Sequence, residues 1–280
     1  MNKRIVILGA GESGVGTALL AKQKGYDVFV SDGGEIRDDY KLELKAAGVE
    51  YEERQHTTER IFNAAEVMKS PGIPEKNELV KQIRAKNIPI ISEIEFAYRY
   101  KGNSRIIAIT GSNGKTTTTA LTYHICKTGG ADCALVGNIG YSFAKQVAVD
   151  PKPLYVAEIS SFQLDDIKTF RPDVAVLTNI TEDHLDRYEY KIENYISSKF
   201  RIAMNQQPED VFIYNLDDEV TVKRFERKGS VVRLLPENEE LQPIVVDLTQ
   251  EALSIEGLAV GLQRLKLREQ LFGQRHRKAR

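Results

Sequence analysis

Cysteine is scarce in this chain. Cys126 and Cys133 are the only two in 280 residues and stand in no metal-ligand spacing, which excludes a disulfide framework and a cysteine-built zinc site and suits a reducing cytoplasm. Net charge is nearly absent as well: 39 Lys and Arg against 40 Asp and Glu leave −1. A chain so balanced has no overall field for nucleic acid or a membrane surface, so any phosphate chemistry must come from local sites and the expected partners are small molecules. Long apolar runs are missing too. The N-terminus starts like a signal peptide, but its apolar run Ile5–Leu8 is too short and meets a glycine turn containing Glu12, so it reads as a first strand, and no segment approaches membrane-spanning length.

What is present is apolar strand alternating with polar helix, at a length that favours two domains with buried cores. The organising stretch is Arg105–Thr119, an apolar run followed by Gly111-Ser112-Asn113-Gly114-Lys115-Thr116-Thr117 and an uninterrupted helical segment to Lys127. Small residues let backbone N–H groups face an anion at a helix start, where the lysine reaches phosphates and a hydroxyl holds Mg²⁺. The general pattern wants a glycine five residues before Gly114, where Ile109 stands, so the turn is a shortened one.

Residues 1–91 read as a Rossmann-like domain. Ile5–Leu8 precedes the turn Gly9-Ala-Gly-Glu-Ser13-Gly14 and a helix to Lys24, and the strand Asp27–Ser31 ends in Asp32-Gly33. An acid about twenty residues after a glycine turn is where dinucleotide folds contact a ribose. A hydride-transfer enzyme fits this motif alone; the second cradle downstream favours a nucleotide-linked substrate here. A short strand Glu66–Lys69 leads to Ser70-Pro71-Gly72, a tight turn at the ligand-binding end of such a sheet, with another helix after Pro74. Residues 92–280 read as a P-loop-type domain. Its features are the strand Ala134–Val136 with the loop Gly137-Asn138-Ile-Gly140, the strand Leu154–Ala157 ending in Glu158, and the strand Asp173–Leu177 leading to Glu182, Asp183, His184 and Asp186. An acid at a strand end beside a phosphate cradle is placed to organise Mg²⁺. Lys199, inside the helical stretch Ile192–Asn205, reads as a surface lysine on composition.

Thr110–Thr117, Gly137–Gly140, Glu158–Leu164 and Asn179–Tyr188 resemble the Mur ligase family, in the branch that joins D-glutamate to UDP-N-acetylmuramoyl-L-alanine. The shortened cradle is a trait of that family. The resemblance implies ATP-driven amide formation through an acyl phosphate, with the UDP end of the substrate on the first domain at Ser13, Asp32, Gly33, Ser70 and Gly72. It implies Lys115 on the ATP phosphates within a nucleotide site of Gly111–Thr117, and two Mg²⁺ ions held by Thr116, Glu158, His184 and a carbamylated Lys199. Asn138 would contact substrate. It further implies a cytoplasmic monomer in peptidoglycan precursor synthesis, with a third domain that this chain is too short to hold. The expectation is therefore an incomplete ligase, or a fragment that binds without catalysing, ending in the basic stretch Gln263–Arg280.

Overall fold

In this computed structural model the structure describes residues 4–214, 224–229, 231–235 and 244–247. Residues 1–218 make one compact unit and 219–280 a second.

The first unit opens with β1 (Arg4–Leu8), α1 (Glu12–Gln23), β2 (Asp27–Ser31), α2 (Asp38–Ala46), β3 (Glu50–Glu52), α3 (Thr58–Ile61), β4 (Glu66–Lys69), α4 (Glu78–Ala85), β5 (Ile90–Ile91) and α5 (Glu93–Tyr100). The five strands pair in parallel in the order β3-β2-β1-β4-β5. Strand β1 is apolar from Ile5 to Leu8 because both its faces are covered there: Ile5 and Ile7 join the larger core, whereas Val6 and Leu8 meet Val80 and Ile83 of α4 in a second cluster. The direction in which strands are added switches at β1, with β2 on one side and β4 on the other, so the carboxyl ends of these three parallel strands form a crevice.

The chain continues with β6 (Arg105–Thr110), α6 (Lys115–Thr128), β7 (Cys133–Gly137), α7 (Phe143–Val149), β8 (Leu154–Glu158), α8 (Ser161–Leu164), β9 (Val174–Leu177), α9 (Ile192–Phe200) and β10 (Val211–Tyr214). These strands are also parallel, in the order β10-β9-β6-β8-β7. The predicted α/β class and both sheets are thus present, and the structure adds elements to these two sheets that the pattern did not announce: β3, α3, α7, α8 and β10. The helix expected to reach Asn205 ends at Phe200, and a 3₁₀ turn covers Arg201–Ala203.

The unannounced α7 ties the two sheets together. It packs on α1, and Gly16 makes the approach possible, because a Cβ there would lie 2.1 Å from Ser142 Oγ. Ser142 caps α7 through its hydroxyl, which in turn donates to Glu93 Oε1 at 2.7 Å, as does the backbone N–H of Ala144. Glu93 is buried, its Oε2 has no partner among the described residues, and burial raises its carboxyl to about 7.

In the second unit β11 (Arg224–Lys228), β12 (Val231–Leu235) and β13 (Ile244–Asp247) form an antiparallel sheet. Ala252–Ile255, whose lettering is strand-like, and the basic stretch Gln263–Arg280 lie outside the described residues. Among the described residues no helix is long and apolar enough to cross a membrane.

Because the native Glu93 resists ionisation, the folded chain binds more protons than the unfolded one between pH 4.5 and about 7. Stability should therefore fall as pH rises through that window, and Glu93→Gln should flatten this part of a urea-midpoint profile. An unchanged slope would refute the assignment.

Candidate active site

Strand β6 delivers the chain into a turn that only glycine can make at its first position. Gly111 has φ +148°, and a Cβ there would sit 1.9 Å from Thr178 Oγ1 and 3.1 Å from the carbonyl oxygen of Asn179. Gly114, at φ +77°, then caps α6. The turn is sewn to the loop after β9: the N–H of Ser112 donates to Asn179 O at 2.9 Å, that of Asn113 to Asn179 Oδ1 at 2.8 Å, and the Thr178 hydroxyl to Asn113 O at 2.7 Å. The amides of Ser112 and Asn113 therefore serve the turn itself. The donors left to face an anion are those of Gly114, Lys115, Thr116 and Thr117, which precede the first intrahelical bond, from Thr118 N to Gly114 O.

Two lysines meet on one carbonyl. Lys115 Nζ donates to Gly111 O at 2.8 Å and to Ser112 O at 2.9 Å, and Lys199 Nζ donates to Gly111 O at 2.7 Å. The compositional reading of Lys199 as a surface residue is overturned: it is 1% exposed. Helix α9 turns Tyr195, Ser198 and Lys199 inward together, an i, i+3, i+4 stripe that polar lettering hid. Ser198 Oγ donates to Asp165 Oδ1 at 2.6 Å, the Tyr195 hydroxyl lies 3.2 Å from Ser112 Oγ, and the Lys199 ammonium sits 4.5 Å from the Tyr195 ring centroid. Burial, with the like charge of Lys115 second, pushes the Lys199 amine down to about 7.

Glu158 ends β8 in register with Ile109 on β6 and Gly137 on β7. Gly137 (φ +101°) passes so close that a Cβ would lie 2.3 Å from Glu158 O. Glu158 Oε1 accepts from Asn138 Nδ2 at 2.7 Å, while the buried Oε2 has no partner among the described residues. That open valence on a buried carboxylate suits a cation. Thr116 lies exposed in the first turn of α6. His184 stands in left-handed backbone (φ 51°), half exposed, 3.5 Å from Asp183 and 5.3 Å from the Phe162 ring. Among the described residues no three His, Cys, Asp or Glu side chains cluster as a ready-made metal cage. Mg²⁺ seldom needs one, since phosphate oxygens and water complete its shell.

At the first sheet, Asp32 accepts from the N–H of Ala10 at 2.6 Å and of Gly34 at 2.8 Å, so it braces the glycine turn. Asp32 and Gly33 line an open cleft of about 260 Å³ together with His56, Ile73, Asn77 and Leu79. Ser70 abuts Gly9 (φ +90°), where a Cβ would fall 2.6 Å from its hydroxyl. Gly72 is exposed in the next turn, and Ser13 lies in the first turn of α1, its carbonyl accepting from the Thr17 hydroxyl. Sequence reasoning missed His56, Asn77 and Arg187. Arg187 donates to Pro71 O at 3.2 Å and lies 4.2 Å from the Phe162 ring centroid, so it links the His184 loop to the Ser70–Gly72 turn.

Residues 109–276 match the family model for the Mur ligase middle domain, and residues 4–79 match the MurD N-terminal domain. The chain belongs to the Mur ligase family. Among its relatives, the UDP-N-acetylmuramoylalanine--D-glutamate ligase of Christiangramia forsetii is 57% identical over 236 residues, 84% of this chain and 53% of the relative. The enzyme of that name in Bacteroides fragilis (strain YCH46) is 50% identical over 271 residues, 91% of this chain and 61% of the relative. The chain spans about half the length of the curated relatives it matches. Two solved Mur ligases share the fold: the UDP-N-acetylmuramate:L-alanyl-gamma-D-glutamyl-meso-diaminopimelate ligase from Neisseria meningitides (TM-score 0.53, 20% identity, 77% of this chain and 72% of that one), and UDP-N-acetylmuramate-alanine ligase from Thermotoga maritima (0.50, 18%, 97% and 66%).

Two measurements test this site. Gly111→Ala should cost roughly 2–4 kcal/mol in urea unfolding, from the clash and the strained φ together; a loss under about 0.5 kcal/mol would show that the turn relaxes freely. Lys199 is held neutral in the folded state, so between pH 7 and 10.5 the unfolded chain binds the extra proton and wild type should gain stability with rising pH. Lys199→Met, in CO₂-free buffer, should lack that gain.

Proposed function

We propose that this chain carries the UDP-substrate and ATP sites of a ligase that joins D-glutamate to UDP-N-acetylmuramoyl-L-alanine in the cytoplasm, as a monomer, during peptidoglycan precursor synthesis. Supporting this reading are its family membership and the names of relatives about half identical to it. The observation that carries it is the meeting of Lys115 and a buried, easily neutralised Lys199 on Gly111 O.

In this reading residues 1–91 hold the UDP end, with Asp32, Gly33, Ser70, Gly72 and Ser13 around the first-sheet cleft, and residues 92–280 hold ATP. The substrate carboxylate takes the γ-phosphoryl group to become an acyl phosphate, the amine of D-glutamate attacks the acyl carbon, and phosphate departs. Bringing a carboxylate to a triphosphate sets like charges together, and positioned cations offset that repulsion. Lys115 supplies one such charge at the head of α6, where the amides of Gly114–Thr117 add theirs. Thr116, Glu158 and His184 would hold Mg²⁺, which neutralises phosphate charge when bound; the unpaired Glu158 Oε2 is the atom that fits it. Asn138 fixes the rotamer of Glu158 through its amide and thereby serves the metal side as well as substrate. Lys199 captures CO₂, because only a free amine does so, and the resulting carbamate offers two oxygens in place of one cation.

Lys115→Ala should abolish stabilisation by ATP·Mg²⁺ in a thermal-shift assay and leave stabilisation by UDP-MurNAc-L-alanine within a degree or so of wild type. Loss of both would refute the division of labour between the two sheets. Under ¹³CO₂, a carbamate ¹³C resonance should appear in wild type and be absent from Lys199→Met; equal signals would remove the carbamate.

A further inference from the structure

The cleft at the first sheet contains a histidine that none of the steps above employs. His56 Nδ1 lies 2.7 Å from Ser31 Oγ, and Ser31 Oγ lies 2.7 Å from Glu52 Oε1. Ser31 is fully buried and Glu52 nearly so. Burial by itself would raise the Glu52 carboxyl, but hydrogen bonds from the Thr57 hydroxyl, the Thr57 amide and the Ser31 hydroxyl outweigh it and hold the group below its ordinary range. Glu52 is therefore an acceptor only, and the single Ser31 proton goes to it. Ser31 Oγ must then receive a proton from the imidazole, which fixes Nδ1–H and leaves the Nε2 lone pair at the other end of the ring. That end lies beside Gly33, where an added Cβ would be 3.0 Å from Nε2.

Asn77 supplies the complementary group on the same cleft. Its Oδ1 is used up capping α4, accepting from Leu79 N at 2.9 Å and Val80 N at 3.4 Å, so its Nδ2 remains as a donor. Leu8, Ile73 and Leu79 give the cleft apolar wall. An acceptor and a donor beside apolar surface match the edge of a planar imide, in which an N–H sits between carbonyls.

We infer that His56, oriented by the Ser31–Glu52 relay, selects a uracil base over cytosine by accepting the ring N3–H through Nε2, with Asn77 donating to a flanking carbonyl. Cytosine presents a lone pair at N3, which would face the Nε2 lone pair. This inference rests on the proposal that the cleft takes the UDP end of the substrate, and it names the residues that would tell one pyrimidine from another.

The test titrates the full chain with UDP and with CDP by calorimetry or NMR. Wild type should prefer UDP, and His56→Phe, which keeps a planar ring but removes the acceptor, should reduce that preference about tenfold or more. Ser31→Ala should reduce it in the same direction, since the imidazole is then free to carry its proton on Nε2. In wild type, imidazole ¹⁵N shifts assigned with His56→Phe should report the Nδ1–H tautomer. An unchanged UDP preference in His56→Phe, or a neutral Nε2–H tautomer in wild type, overturns the inference while leaving the cleft's assignment intact. Failure of wild type to bind UDP at all overturns both.

Discussion

The carbonyl of Gly111 is the point on which the second sheet's chemistry turns. It is reached only because the residue lacks a Cβ, which lets the turn press against Thr178 and Asn179. In that position a single oxygen accepts from two lysine nitrogens, one from the head of α6 and one from the interior of α9. Two like charges on a shared acceptor are tolerable when one of them gives up its proton easily, and the burial of Lys199 sees to that. The perturbed lysine, the shortened turn and the tight loop packing are one constraint seen from three sides.

Buried carboxylates perform a parallel task in holding the two sheets of the first unit in register. Glu93 receives the first turn of α7, and Glu95 accepts three backbone amides from Lys168, Thr169 and Phe170 as well as the Thr169 hydroxyl. Both acids lie at the start of α5, the helix that joins the sheets. The two acids respond to burial in opposite ways. These four donors, joined by Arg99 Nε at 3.1 Å, more than offset the burial of Glu95 and hold it ionised below its ordinary range, whereas Glu93 has fewer and is pushed up. An apolar pair would pack as well but would not fix which turn meets which helix; directed hydrogen bonds do.

Much of this was legible in the letters. Apolar runs such as Ile5–Leu8 and Leu154–Ala157 announce buried parallel strands, and glycine turns placed before helices announce tight strand-to-helix loops. Helix α7 was missed because Phe143–Val149 is short and apolar on most sides, as suits a helix wedged between others. Strand β3, Glu50–Glu52, was missed because an edge strand of three residues with two acids has no alternation to read. His56 escaped for a different reason, and for the same reason Lys199 was reached only through the family resemblance and not from its own lettering. Each owes its character to partners 25 to 88 residues away, Ser31 in one case and Gly111 in the other, and no local pattern records a contact made only by folding.

The pairing of Lys115 with Gly111 O and Ser112 O has a thermodynamic consequence for whatever anion arrives. The ammonium is already satisfied by the protein, so a phosphate does not fill an empty socket but displaces two carbonyls, and its observed affinity is the difference between two well-made sets of bonds. Sites of this kind bind their ligand more weakly than their charge suggests and let it go more readily. A reaction that ends with released phosphate gains turnover from such an exchange, because the lysine has somewhere to return.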